Sequence, residues 1–80
     1  MTLKPKSAIA RVMKKLRNRK GLTQLALSGR SGVTVSHISE IENDKTRPSF
    51  EIIIKLVEIL GFPLQDFMKD FILEKDKDEK

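Results

Sequence analysis

Eighty residues without a cysteine make one small domain that no disulfide staples and that lacks the usual cysteine-based zinc sites. A chain of this size buries proportionately little surface, so its stability is modest and dimerisation is a common supplement. The net charge of +5 divides unevenly: residues 1–30 hold nine Lys or Arg and no acid, and residues 31–80 hold seven Lys or Arg against eleven acids. That split of +9 and −4 points to a polyanionic partner, with nucleic acid ahead of an acidic membrane surface. No stretch reaches the length of a membrane span, and MTLKPKSAIARVM lacks the apolar run of a signal peptide. The missing cysteines fit a reducing compartment, and a cytoplasmic location is expected.

In chain order, residues 1–6 are expected to form a flexible basic arm and residues 7–73 the folded domain. Ile9, Val12, Met13 and Leu16 form one helical stripe within residues 7–20, with Arg11, Lys14 and Lys15 opposite. Ser7 suits its N-cap and Gly21 its end. Thr23 caps a second helix, 24–30, expected to turn Leu25, Leu27 and Ser28 inward. Gly29 in its interior costs roughly 1 kcal/mol against Ala, which a tight helix contact would explain. Gly32 marks a turn. A third helix, from about Thr34 to Asn43, has Thr34, Ile38 and Ile41 on one side. Ser36, Ser39, Glu40 and Asn43 lie on the other, at i, i+3, i+4 and i+7. A helix this short does not stand alone in water, so it docks by a narrow seam and presents a polar face. Pro48 biases Arg47 away from helix, leaving Asp44 to Pro48 as a loop. Ser49 caps a fourth helix, 50–60, stopped by Gly61. Ile52-Ile53-Ile54 is β-branched but lies inside this helical pattern. Pro63 opens a fifth helix, 63–73, and the charged tail 74–80 is expected to be disordered.

Five short helices with short turns imply a compact all-α bundle. The second and third, joined through a tight glycine turn, have the helix-turn-helix arrangement, in which the second member of the pair enters the DNA major groove. The apolar surface of the fourth and fifth helices exceeds what so small a domain easily buries. A two-fold homodimer is therefore expected through Ile59, Phe62, Leu64, Phe67, Met68, Phe71 and Ile72.

GLTQ at Gly21–Gln24, SGVT at Ser31–Thr34, ISEIENDKTRPS at Ile38–Ser49 and LVEILG at Leu56–Gly61 together resemble the phage repressor and Cro-like (XRE-type) helix-turn-helix family. The resemblance covers roughly residues 7–71. It implies a lambda-repressor-like five-helix domain that binds double-stranded DNA as a dimer on a near-palindromic operator, most simply as a repressor of transcription. By position it implies base-reading or adjoining roles for Thr34, Val35, Ser36, Ser39 and Glu40. Phosphate contacts fall to Gln24, Asn43, Lys45 and Arg47, and a partly buried ion pair to Arg17 and Glu42. Ser28, Gly29 and Asp44 depart from the family pattern, Asp44 standing where glycine is common; Asp tolerates a left-handed backbone better than most residues. Val35 replaces a longer polar or basic residue, so the bases read are not carried over from relatives.

The chemistry of the face suits base edges. Serine donates or accepts, a carboxylate accepts from cytosine N4, and valine meets a thymine methyl. Glu40 near phosphates carries a repulsive cost, so its benefit is discrimination and not affinity. The plain alternative for these residues is a solvated helix face. A separate alternative makes the protein an antitoxin-like subunit, which neutralises a toxin or other protein partner, with DNA binding secondary, and autoregulates its operon. His37, the only histidine, has no second ligand for a metal and reads as a surface residue. Asp76, Asp78 and Glu79 lack the glycine-centred loop of a cation site. No nucleophile–base arrangement stands out, so neither enzymatic activity nor a cofactor is expected.

Overall fold

The computed structural model describes residues 6–78, which form five helices: α1 Ala8–Arg19, α2 Gln24–Ser31, α3 Val35–Glu42, α4 Phe50–Ile59 and α5 Leu64–Asp78. No strand occurs among the described residues. The basic arm expected over residues 1–6 falls outside them except for Lys6.

Four of the helices begin alike. Ser7, Thr23, Thr34 and Ser49 hold extended backbone, and each side-chain oxygen accepts the N–H three residues on, from Ala10, Ala26, His37 and Ile52. Each such cap satisfies one orphan donor and contributes about 1 kcal/mol. Gly32 ends α2 in the left-handed region at φ 77°, where a Cβ would be strained.

The core gathers Val12, Met13 and Leu16 of α1, Leu27 of α2, Ile38 and Ile41 of α3, Leu56, Val57 and Leu60 at α4, and Phe67 of α5, with Val33 from the α2–α3 turn. α1 packs on α3 and α5, and α2 packs on α3 and α4. The short α2–α3 pair is thus held from two sides, and α3's other face is left free.

Three expectations are corrected. Leu25 is 73% exposed: residues two apart in a helix lie about 200° apart, so the stripe of Leu27 and Ser31 that docks α2 turns Leu25 outward. No tight contact explains Gly29, because nothing lies within 4 Å of where its Cβ would stand. The chain does not fray at Glu74. α5 continues to Asp78, and Glu74 is buried, its carboxylate accepting from Arg11 Nε of α1 at 2.8 Å and Lys77 Nζ at 2.8 Å. Lys75 and Lys77 in the last turn also complement the helix dipole.

The expected interface residues divide. Phe67 is 3% exposed within the single chain and belongs to the core, so it leaves the interface set. Phe62 and Phe71 are half-buried against that core. Phe71 stacks on Phe67 with centroids 6.0 Å apart, and Phe62 carries Lys20 Nζ 4.7 Å above its ring. Ile59, Leu64, Met68 and Ile72 remain exposed, as do Leu73 and Phe50, which the sequence pattern did not single out.

Candidate nucleic-acid interface

α3 is anchored by Ile38 and Ile41, both buried. Its opposite side presents Ser36 and Glu40, exposed, flanked by half-buried Val35, His37 and Ser39. Five of the anticipated residues therefore lie on or at the start of one helical face. Thr34 has a second duty: its hydroxyl accepts the His37 N–H at 3.1 Å, leaving its own proton free to donate outward. Asn43, the C-cap of α3, is folded back on the helix. Its Nδ2 donates to the Ser39 carbonyl at 2.9 Å and to Ser39 Oγ at 3.2 Å. Lys45 and Arg47 are exposed on the following loop, and neither forms an ion pair among the described residues.

The support beneath this face is ionic. Arg17 meets Glu42 in a two-bond fork, Nε to Oε2 at 2.7 Å and Nη2 to Oε1 at 2.8 Å. Its Nη1 donates to the Leu22 carbonyl at 2.7 Å, fixing the turn into α2. Both side chains are buried. The hydrogen-bonded carboxylate raises the Arg17 guanidinium above its ordinary value, outweighing the opposite effect of burial. Gln24, at the first position of α2, donates from Nε2 to the same Glu42 Oε1 at 3.1 Å. One carboxylate thus ties α1, α2 and α3 together and sets the orientation of the glutamine at the α2 N-terminus.

Sequence reasoning missed a second set of contacts at the far end of α3. Asp44 has φ 61°, the one non-glycine residue with positive φ among those described. Its Oδ2 accepts the Ser7 N–H at 3.0 Å and its Oδ1 the Ser7 hydroxyl at 2.7 Å. Those bonds hold its carboxyl below the usual range. The partners are 37 residues apart, so no local spacing could have paired them; the only sequence signal was an Asp where relatives prefer glycine.

Among the described residues no group of three potential ligands could hold a metal ion, and no helix is long and apolar enough to cross a membrane. The arrangement offers short donors and acceptors on a projecting helix, flanking cations, and a helix N-terminus. Such groups recognise a patterned anionic surface.

Comparison with known proteins agrees. A family model described as helix-turn-helix matches residues 13–67. Over 58 residues the chain is 34% identical to the HTH-type transcriptional regulator PuuR of Escherichia coli (strain K12), covering 72% of this chain and 31% of that protein. The chain therefore spans about a third of the length of the regulators it matches. The wild-type restriction-modification controller protein C.Esp1396I superposes with a TM-score of 0.84 at 28% identity, over 89% of this chain and 92% of that one. The tetramer of that protein in complex with its natural 35 base-pair operator gives 0.80 at 28% identity, over 85% and 90%. The clp gene regulator ClgR from C. glutamicum shares the fold, at a TM-score of 0.79 and 22% identity over 92% and 97%. The matched segment runs from the core face of α1 to Phe67 of α5 and contains the whole α2–turn–α3 unit, and the chain belongs to the XRE-type helix-turn-helix family.

Proposed function

We propose that the protein is a sequence-specific, double-stranded DNA-binding transcriptional regulator, acting as a repressor in the cytoplasm. The observation that carries the reading is the polar face of α3, with Ser36, Ser39 and Glu40 turned away from a core that Ile38 and Ile41 complete, and with Lys45 and Arg47 exposed beside it. The family's relatives named as transcriptional regulators, and a controller protein bound to its operator, support the same reading. Ser36, Ser39, Glu40 and Val35 face base edges, while Gln24, Lys45 and Arg47 take phosphates; Thr34 and Asn43 divide their groups between capping α3 and the DNA. Repression follows from occupancy: a protein seated at a promoter excludes polymerase, and no catalysis is involved.

A homodimer completes the site. Leu64, Met68 and Ile72 are exposed at four-residue spacing along α5, with Ile59 exposed at the end of α4. The exposed apolar positions of α5 are suited to packing on a second copy, with Ile59 contributing from α4. Two-fold symmetry would set two α3 helices about one DNA turn apart on a near-palindromic operator.

Selection from a random duplex library at graded salt tests the reading. Specific duplexes should be retained, with affinity falling steeply with salt as counterions are displaced. Lys45→Ala and Arg47→Ala should weaken all sequences by similar factors. Retention of no duplex, or affinity indifferent to salt, would remove the proposal.

A further inference from the structure

We propose that Lys6 is a further phosphate-contacting residue and that Asp44 is the positioning residue that sets it beside the DNA-facing loop. The proposal rests on the DNA-binding reading above.

Lys6 is fixed through the peptide that joins it to Ser7. Its carbonyl accepts from the Arg11 guanidinium, which Glu74 and Asp78 of α5 hold through their carboxylates at 2.8 Å each. The next residue, Ser7, is gripped by both oxygens of Asp44, through its N–H at 3.0 Å and its hydroxyl at 2.7 Å. So held, the Lys6 side chain reaches Asn43 Oδ1 at 3.2 Å, at the C-terminal end of α3. Lys45 and Arg47 follow two and four residues later on the same exposed loop.

The chemistry of that contact leaves the ammonium available. An ammonium has three donors, and here one is met by a neutral amide oxygen, a weaker partner than an anionic phosphate oxygen. Asp44 itself has a cost on two counts. It occupies a left-handed backbone that glycine adopts freely, and it places a carboxylate next to a surface meant for phosphates. Capping α1 does not require it, because Ser7 already accepts the Ala10 N–H at 3.3 Å. What Asp44 does is fix the point at which the chain enters α1, and with it the direction of Lys6.

The test uses the full chain, the duplex that wild-type protein selects, and an unrelated duplex of equal length. Lys6→Ala should weaken both duplexes by the same factor and reduce the slope of log affinity against log salt by about 0.9 per protomer. Lys6→Arg should restore most of the loss. Asp44→Gly relieves the left-handed backbone and keeps the fold, and in that background the Lys6→Ala loss should shrink to less than half. An unchanged salt slope in Lys6→Ala overturns the phosphate contact. A Lys6→Ala loss of equal size with and without Asp44 overturns its positioning role. Wild-type protein that retains no duplex overturns the DNA-binding reading and this proposal with it.

Discussion

Glu42 Oε1 accepts from Arg17 and from Gln24 at once, so the buried pair orients the glutamine that is proposed to meet phosphate. Removing either partner of the buried pair strands a charge, which costs about 3 kcal/mol. Arg17→Ala and Glu42→Ala should each lower the melting temperature well beyond an ordinary surface change, and the double variant should recover part of the loss. Small, additive effects in calorimetry would mean that the two side chains do not support one another. Glu74 makes a prediction about acid. Its hydrogen bonds from Lys77 and Arg11 lower its carboxyl from 4.5 to about 2 in the folded protein. A carboxyl depressed on folding stabilises the protein fully above its unfolded value and progressively less as pH falls from 4.5 toward about 2. Glu74→Gln should flatten that part of a melting-temperature profile, and an unchanged profile would contradict the role given to the Arg11–Glu74 bridge. The family resemblance makes the Arg17–Glu42 pair legible in the sequence. The Ser7–Asp44 and Arg11–Glu74 contacts are not legible there, because 37 and 63 residues separate the partners and no periodicity relates them.

The elements themselves are readable where capping and periodicity agree. Ser7, Thr23, Thr34 and Ser49 each stand one residue before a helix, as their side chains require. Polarity alone is a poor sign of solvent. The end of α5 has the composition of a charged tail, yet Glu74 is buried because Arg11 on α1 waits opposite it. Apolar character is an equally poor sign of burial in α2, where Leu25 points outward. The apolar set expected on α5 loses a member: Phe67 serves the monomer core, while Leu64, Met68 and Ile72 stay exposed. Phe71 packs on that core, so a charge there would destabilise the monomer as well as an interface. Met68→Asp with Ile72→Lys touches only exposed positions. In sedimentation at tens of micromolar, the wild-type chain should be a dimer and this variant a folded monomer with much weaker operator binding. A wild-type monomer under the same conditions would leave these exposed positions without a partner.

At the scale of the whole molecule, charge and packing converge. The basic half of the chain supplies α1 and α2, and the free face of α3 projects from a core that the α4–α5 half completes. On the proposed reading, binding strength comes from cations on phosphates, and sequence preference from the short polar side chains of α3. Which bases those side chains would prefer depends on their fit to a duplex, so the sequence names candidate readers and not the site they read. The measurement that tests this division most directly is selection from one random duplex library by wild-type protein and by Ser36→Ala, Ser39→Ala and Glu40→Gln. Each variant should remain folded and yield a changed motif, with about 1–3 kcal/mol of discrimination lost at its own base position. Three variants that return the wild-type motif at wild-type affinity would contradict the assignment of the α3 polar face as the element that reads DNA.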